Sequence, residues 1–463
     1  HKYSVILLYS LIFAIHFIMK DLTAGKEWKV ILQFAFPMLL GNVFQQLYNV
    51  VDSIIVGNFL GKEALASVGA SFPVIFVMIS LVIGITMGIT IVISQYYGAK
   101  NFVKVKSAID TMNIFLFFTS IFLSVLAYFL SEPIFRLIKL PEELMADAIS
   151  YFRWFTSGFI LMFGYNTVAA ILRGLGDSKT PLYFLIISTF VNIVLDILFV
   201  VVLKFGVASV ASATVIANGV AFLTAILYLN KKHEMVRIKF RNLVFDKEIF
   251  RQSIRIGLPS GIQQSFVALG MMALYWIVND FGTDAIAAYS VAHRLDSFAG
   301  MPAMTLGSAL STFVGQNLGA NKMSRAKKGM HATWIISIIT SLVVFLCMIL
   351  FKENFMAAFN QDTRVIEIGA SYLMIVSGFY VVFSSMFTIN GVLRGAGATI
   401  VPMFSTLIAL WVLRIPLSYY MSQNMGTDGI WWGIPIAWAF GFMMSYIYYL
   451  SGKWKNKGVV KYD

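Results

Sequence analysis

The sequence is poor in charged residues and has almost no cysteine. Asp, Glu, Lys and Arg make up only 12% of its 463 residues, whereas a soluble domain carries roughly 25%. Such a chain lacks the polar surface to face water on every side. The single cysteine, Cys347, excludes an intrachain disulfide. Metal-ligand spacings, Walker-type loops and Gly-rich loops after a strand are also missing, so no pattern favours an enzyme or a bound cofactor.

Long apolar runs stand where charge is missing. Residues 72–93, 114–130, 183–203 and 332–351 are examples, and each approaches or exceeds the roughly 20 residues that a helix needs to cross a bilayer. Within a bilayer, backbone hydrogen bonds are satisfied only by helices or by a closed barrel. The runs lack the alternation of barrel strands. The sequence therefore predicts an all-α membrane protein.

We predict twelve transmembrane helices in this chain. Their approximate ranges are 28–57, 63–96, 105–130, 145–172, 180–203, 206–231, 247–280, 284–317, 327–351, 363–393, 399–422 and 427–452.

The positive charges lie mainly on one side of these helices. With both termini inside, the inner segments hold 25 Lys and Arg residues and the outer connections only six. Cytoplasmic loops are enriched in Lys and Arg, so we expect a multi-pass protein of the plasma (inner) membrane with both termini in the cytoplasm. This distribution explains the net charge of +13 without a nucleic-acid partner.

The two halves of the chain repeat each other. "SQYYGAKN" at 94–101 matches "GQNLGANK" at 315–322, and "RGLGDSKTP" at 173–181 matches "RGAGATIVP" at 394–402, both 221 residues apart. Because each half has six helices, both halves enter the membrane from the same side. They are therefore predicted to be parallel repeats, a pattern typical of transporters.

The repeat divides the chain into predicted domains. Residues 19–231 form the N-lobe with helices 1–6, residues 232–246 a cytoplasmic linker, and residues 247–463 the C-lobe with a basic tail. We interpret the apolar segment 1–18 as upstream or vector-derived sequence before a start at Met19. A signal-like segment or a thirteenth helix is the alternative.

Four polar residues of the N-lobe fall at a common predicted depth. Counted from the outer helix ends, Asp52, Asp196 and Thr214 lie roughly 8–12 Å deep at 1.5 Å per residue, and Asn192 shares a helix face with Asp196. Carboxylate, amide and hydroxyl oxygens suit Na⁺ or a shared proton, and intramembrane charges mark functional sites. Structural alternatives remain for each residue: Asp52 capping its helix or meeting interfacial water, Asn192 and Asp196 bonding between helices, and Thr214 bonding its own backbone.

The motifs resemble those of the multidrug and toxic compound extrusion (MATE) family over nearly all of residues 19–455. The resemblance rests on the two doubled motifs, on "PMLLGNVFQQLYNVVDSIIVGNFLGKEALASVGAS" (37–71), on "VNIVLDILFV" (191–200) and on "VAHRLDSFAGMP" (291–302). It implies an antiporter, driven by H⁺ or Na⁺, that expels organic and often cationic compounds through a cleft between two lobes.

The resemblance also assigns roles to residues. Asp52, Asn192, Asp196 and Thr214 match the family's N-lobe cation site, and Pro37 matches a proline whose helix bend is linked to protonation of the aspartate. Gln263 and Gln264 stand at the level where some members carry an acid, which places a second, C-lobe cation site in doubt.

Adaptable side chains are expected to line the substrate cleft. Flexible Met and aromatic residues suit varied ligands, and the candidates are Phe76, Met78, Gln263, Met301, Met304 and Arg414. For the charged residues of the eighth helix we expect a structural role in which Arg294 pairs with Asp296 or a neighbouring helix.

Two other functions stay open: a flippase for lipid-linked precursors, which shares this superfamily fold, and an uncoupled channel or receptor. We expect a monomer in the lipid bilayer with small-molecule substrates. The C-lobe equivalents of Asp52, Asn192, Asp196 and Thr214 are the apolar Leu274, Leu413, Leu417 and Pro435. We therefore expect ion coupling in the N-lobe alone.

Overall fold

The computed structural model describes residues 21–232, 237 and 243–461. The interpretation of segment 1–18 lies outside the described residues, and so does most of the predicted linker 232–246.

The described residues form twelve helical spans. These are α1 (Glu27–Leu60), α2 (Lys62–Gly98), α3 (Phe102–Leu137), α4 (Glu142–Ser157 with Phe159–Gly174), α5 (Lys179–Val202), α6 (Ala208–Lys232), α7 (Lys247–Asn279), α8 (Thr283–Gly319), α9 (Met323–Ala357), α10 (Thr363–Ser377 with Tyr380–Gly395), α11 (Ile400–Met425) and α12 (Thr427–Leu450). Nine of them are individually long and apolar enough to cross a membrane, and α4 and α10 qualify as bent pairs. The prediction of an all-α, twelve-helix fold is confirmed.

Several spans depart from regular α-helix. α4 bends by 47° at Gly158, and α10 bends by 49° between Ser377 and Tyr380. Wider π-helical turns occupy Val56–Leu60 in α1, Ile197–Val202 in α5 and Ile408–Arg414 in α11. Such turns are rare and are often found at functional sites.

The chain forms two compact units whose boundaries fall inside helices. Residues 36–254 belong to the first unit, whereas residues 22–35 and 255–463 belong to the second. The boundaries therefore cut α1 just before Pro37 and α7 just before Pro259. The first residues of α1 thus belong to the unit built mainly from the second half of the chain, and the first residues of α7 belong to the unit built from the first half.

The sequence repeat reappears as repeated contacts inside the units. Thr90 Oγ1 donates to the Ala170 carbonyl at 3.1 Å, and Ser311 Oγ, 221 residues later, donates to the Gly391 carbonyl at 3.0 Å. A Cβ atom on Gly391 would lie 2.5 Å from the Gly307 carbonyl oxygen. Only glycine fits there, so α8 and α10 approach each other at their backbones. The predicted two-lobe repeat is confirmed.

The doubled motif at 94–101 and 315–322 anchors the start of a helix in each unit. In the second unit, Leu22 N donates to Gln316 Oε1 at 3.1 Å and Asn317 Nδ2 donates to the Leu22 carbonyl at 3.2 Å. In the first unit, Tyr96, the repeat equivalent of Asn317, donates its hydroxyl to Gln252 Oε1 of α7 at 3.0 Å. Both copies of the motif thus bind the segment in which a six-helix half of the chain begins.

Asp246 strengthens the anchor of α7. Its Oδ1 accepts from the backbone N–H of Glu248 at 2.9 Å, and its Oδ2 lies 3.0 Å from Lys104 Nζ. Burial opposes ionisation of this carboxyl. The Ile249 N–H and the Lys104 ammonium outweigh that effect and hold the pKa of Asp246 below its ordinary value.

We expect Asp246→Asn to lower the thermal unfolding midpoint at pH 7 by an amount equivalent to about 0.2–1 kcal/mol, the worth of a solvated ion pair. Asparagine retains the helix cap and removes only the charge. A depressed folded-state pKa gives stability that is present above the unfolded value of roughly 3.9 and is lost as pH falls through the folded value. The difference between wild type and variant should therefore start to shrink as pH falls below about 4 and vanish only below the folded value.

The check is a pair of melting curves at neutral and acid pH on detergent-purified protein. Glu353→Gln, which changes an exposed carboxylate near the end of α9, is the control and should leave the midpoint unchanged. A difference between wild type and Asp246→Asn that stays constant over the whole pH range would contradict the charge argument.

Candidate functional site

The four residues predicted to form a cation site come together inside the first unit. Asp52 is on α1, Asn192 and Asp196 are on α5, and Thr214 is on α6. Asn192 Nδ2 lies 3.5 Å from Thr214 Oγ1. Asn192, Asp196 and Thr214 are 1%, 0% and 5% exposed, and Asp52 is partly buried. The equal depths counted along the sequence thus correspond to one buried polar cluster.

The two carboxyl groups of the cluster interact directly with each other. Neither oxygen of Asp196 has a hydrogen-bond partner among the described residues, and the same is true of Asp52 Oδ1 and Asn192 Oδ1. Buried acceptors in native proteins are nearly always bonded. Two adjacent carboxylates with so few donors repel each other unless a cation or a proton joins them. This geometry is chemically suited to binding positive charge.

The surroundings of the pair are apolar. Val56, Ile75, Val200 and Val210 belong to a buried hydrophobic cluster that reaches α1, α2, α5 and α6. In such an environment charge interactions are stronger than in water. Both carboxylates also stand next to π-helical turns, which begin four residues after Asp52 and directly after Asp196.

Two tyrosines complete the cluster, and neither was predicted from the sequence. The Tyr48 hydroxyl lies 3.3 Å from Thr214 Oγ1 and also interacts with Asp52. Its position one helical turn before Asp52 is a signal that could have identified it. Tyr151 of α4 interacts electrostatically with Asp52 and Asp196. No spacing along the chain indicates that contact.

The structural alternatives for these residues have different outcomes. α1 continues to Leu60, eight residues beyond Asp52, so the alternative that Asp52 caps its helix is wrong. Thr214 Oγ1 does bond its own helix, through the Val210 carbonyl at 3.2 Å. Its oxygen lies within reach of Tyr48 and Asn192 at the same time, so the backbone bond does not remove Thr214 from the cluster.

The predicted cleft residues are distributed over both units. Phe76 and Met78 are partly buried on α2, Met301 is partly buried on α8, and Met304 of α8 is 41% exposed. Arg414 of α11 is partly buried, and its Nε has no partner in the described part of the chain.

Gln263 is fully engaged inside the second unit. Its Oε1 accepts from Arg394 at 2.8 Å, and its Nε2 donates to Thr406 Oγ1 at 2.6 Å. The side chain is only 4% exposed. A role in the cleft stays a prediction for Gln263, as it does for the other five residues.

The expected pairing of Arg294 with Asp296 is wrong. Arg294 is exposed and forms no ion pair within the described ranges. Asp296 instead accepts hydrogen bonds from Tyr372 and Tyr380. Residues two positions apart on a helix point in different directions, which separates the two charges.

Over residues 21–232, 237 and 243–461, no three His, Cys, Asp or Glu side chains converge on a point where a metal ion would fit. The oxygen cluster around Asp52 and Asp196 uses amide and hydroxyl groups as well, and these suit a transported alkali cation or a proton.

Comparison with known proteins gives matches over nearly the whole chain. The sequence model of the MatE family matches residues 37–198 and 259–420, once in each half. A probable multidrug resistance protein, YpnP of Bacillus subtilis, is 32% identical over 435 residues, which cover 94% of this chain and 97% of that protein. A probable multidrug resistance protein, NorM of Thermotoga maritima, is 28% identical over 445 residues, which cover 93% of this chain and 94% of that protein.

Solved structures show the same fold. The outward-facing conformation of a multidrug resistance MATE family transporter of the MOP superfamily superposes with a TM-score of 0.88 at 24% sequence identity, covering 93% of this chain and 97% of that one.

We expect Thr214→Val to destabilise the protein by about 1–3 kcal/mol, because Tyr48 and Asn192 lose a buried partner while the side-chain volume hardly changes. Thr214→Ser keeps the hydroxyl and should cost about 1 kcal/mol or less, the value of one methyl group. Thermal unfolding of the purified variants in detergent measures both. Equal midpoints for the valine variant and wild type would show that the hydroxyl does not hold the cluster together.

Proposed function

This chain belongs to the MATE family of membrane transporters, and we propose that it is a cation-coupled antiporter that exports organic, often cationic, compounds by alternating access. The observation that carries the proposal is the pair of Asp52 and Asp196, in which both oxygens of Asp196 and Oδ1 of Asp52 are buried without a hydrogen-bond partner among the described residues. The names of the relatives, probable multidrug resistance proteins, support drugs and similar compounds as substrates.

Coupling follows from the electrostatics of the pair. Two ionised carboxylates in an apolar pocket repel each other strongly, so the pair takes up either a proton or a Na⁺ ion. Asn192 and Thr214 add neutral oxygens for that ion. An organic cation that approaches the loaded pair is disfavoured, and loss of the ion restores a negative charge that attracts the cation. Alternation between ion and substrate is the physical basis of exchange.

Pro37 is the proposed point of bending. It lies inside α1, two residues after the boundary at which that helix passes from the second unit to the first. A proline in a helix removes one backbone hydrogen bond and makes a bend less costly. We propose that gain or loss of the cation at Asp52, four turns further along α1, changes this bend.

The residues proposed to contact the substrate are Phe76 and Met78 in the first unit and Gln263, Met301, Met304 and Arg414 in the second. Methionine and phenylalanine offer polarizable surfaces that adapt to ligands of different shape. Exposure of Met304 supports that position in particular. The guanidinium of Arg414, whose Nε has no partner among the described residues, would disfavour a cationic substrate in its immediate neighbourhood.

The proposed setting is the plasma (inner) membrane, with both termini in the cytoplasm and the protein acting as a monomer. The excess of 25 inner over six outer Lys and Arg residues supports this orientation. The N-lobe, residues 19–231, is proposed to carry the cation site, and the C-lobe, residues 247–463, to complete the cleft.

The test is efflux of ethidium from liposomes that contain the purified protein, with H⁺ and Na⁺ gradients imposed separately. We expect Asp52→Asn and Asp196→Asn each to reduce gradient-driven efflux by roughly 5- to 150-fold, the range of typical coupling free energies. Amide replacement preserves shape and removes the charge that binds the cation.

Asp147→Asn is the matched control, because Asp147 is an exposed carboxylate in the same half of the chain, on α4. It should transport like wild type. Undiminished efflux by both site variants would remove the cation site from these residues. Wild-type efflux that ignores both gradients would favour an uncoupled channel, and movement of a labelled lipid in place of ethidium would favour a flippase.

A further inference from the structure

The geometry points to a second, proton-binding site at Asp296 in the second unit, which controls the bend of α10 through Tyr372 and Tyr380. The inference rests on the proposed function, since it adds a proton to the same transport cycle.

One carboxylate holds both halves of a broken helix. The Tyr380 hydroxyl donates to Asp296 Oδ1 at 2.8 Å, and the Tyr372 hydroxyl donates to Oδ2 at 3.3 Å. Tyr372 lies before the break in α10 and Tyr380 directly after it, where the two pieces meet at 49°. Asp296 on α8 therefore links the two pieces across their bend.

The repeat gives an independent reason to regard Asp296 as functional. Tyr372 is the counterpart of Tyr151, 221 residues earlier, and Tyr151 is the tyrosine beside Asp52 and Asp196. At the repeat position of Asp296 the first half has Ile75, which is 3% exposed. The acid therefore lies on a different helix of the repeat in the second unit, but the equivalent tyrosine contacts a carboxylate in both units. Charged groups at this depth are costly and are found mostly where they serve transport.

Two buried donors beside Tyr372 are free to exchange partners. The rings of Tyr289 and Trp431 lie 6.0 and 5.0 Å from the Tyr372 ring between centroids. They are 1% and 0% exposed, yet the Tyr289 hydroxyl and Trp431 Nε1 have no hydrogen-bond partner among the described residues. Orphaned buried groups of this kind are rare. Here they offer new partners to a tyrosine hydroxyl that leaves Asp296.

A proton fits this site better than a metal or organic cation does. The ionisable groups that interact with the carboxylate are Tyr289 on α8, Tyr372 and Tyr380 on α10, and Arg414 on α11. Tyr275 on α7 and His293 on α8 lie one ring further away, against Tyr289. Both carboxylate oxygens already accept a hydrogen bond, and the guanidinium of Arg414 repels any further bulky cation. A proton needs no coordination shell and forms a single O–H bond.

Protonation changes the number of acceptors. A hydronium ion transfers its proton to Oδ2, where the existing bond is longer, and leaves as water; the neutral acid then donates at that atom instead of accepting. The Tyr372 hydroxyl must leave or rotate, whereas Tyr380 keeps its bond to Oδ1. The link across the break in α10 is reduced to one side, and loss of the proton restores it. No other bond is made or broken.

The proton count of transport tests the site. Liposomes with the purified protein are given a set of pH gradients and a potassium diffusion potential, and the gradient at which net ethidium flux reverses gives the number of protons exchanged per ethidium. We expect Asp296→Asn to lower that number by about one, since one proton-binding group is lost. An unchanged number for Asp296→Asn overturns the inference.

Asp428→Asn is the matched control. Asp428 belongs to the same unit and also accepts a hydroxyl from α10, that of Ser371 at 2.6 Å, but it lies in the first turn of α12. It should leave the proton number at the wild-type value. A decrease equal to that of Asp296→Asn would show a general effect of removing a carboxylate and would overturn the assignment.

Tyr372→Phe covers the case in which Asp296→Asn does not fold. It removes one donor to the ionised carboxylate, so we expect the same proton number and a pH midpoint of efflux raised by about one pH unit. An unchanged midpoint overturns the inference. Wild-type transport driven by Na⁺ without proton movement overturns it too, but leaves the proposed function intact. Absence of any gradient-driven efflux by wild type removes the proposed function itself.

Discussion

The bilayer gives polar groups no partners, and the rest of this structure depends on that constraint. Backbone groups are satisfied within twelve helical spans, and most polar side chains bond to the backbone of their own helix, as Thr90, Ser311 and Thr214 do. Against this background the oxygens of Asp196 stand out, because they are buried and form no close hydrogen bond with a donor of the described chain. In the proposed function a cation or a proton is their partner.

Duplication built the scaffold, and divergence placed the acids. Both halves keep the contact between the second and fourth helices, through Thr90 with Ala170 and through Ser311 with Gly391. Both also keep a tyrosine in the fourth helix of the half, Tyr151 and Tyr372. The carboxylates that meet these tyrosines come from α1 and α5 in the first unit and from α8 in the second. The tyrosine at this repeat position therefore meets a carboxylate in both units, but the carboxylate comes from a different helix of the repeat in each.

The doubled motif ties the halves together through the chain. Residues 22–35 belong to the second unit although they open the first half, and Gln316 and Asn317 bind the backbone of Leu22 there. Arg325 adds an ion pair to Glu27 at 3.1 Å. In the first unit, Tyr96 donates to Gln252 and Lys104 pairs with Asp246, and both contacts hold the start of α7. A bend at Pro37 or Pro259 therefore changes the direction of the rest of α1 or α7 relative to the first turns of the same helix, which these contacts hold in place.

The sequence by itself determined the helical class, the twelve spans, the repeat and four polar members of the N-lobe cluster, Asp52, Asn192, Asp196 and Thr214. These follow from local properties: the length of apolar runs, the 221-residue offset and the depth counted along each helix. Only the tertiary structure decided which helices meet. In the folded protein Tyr151 interacts with Asp52 and Asp196. Asp296 accepts hydrogen bonds from Tyr372 and Tyr380 and does not pair with Arg294. In a bilayer the flanks of a helix are apolar whether they face lipid or protein, so hydropathy does not show which side of α8 finds a neighbour. That choice is made by side-chain packing between segments distant in the chain.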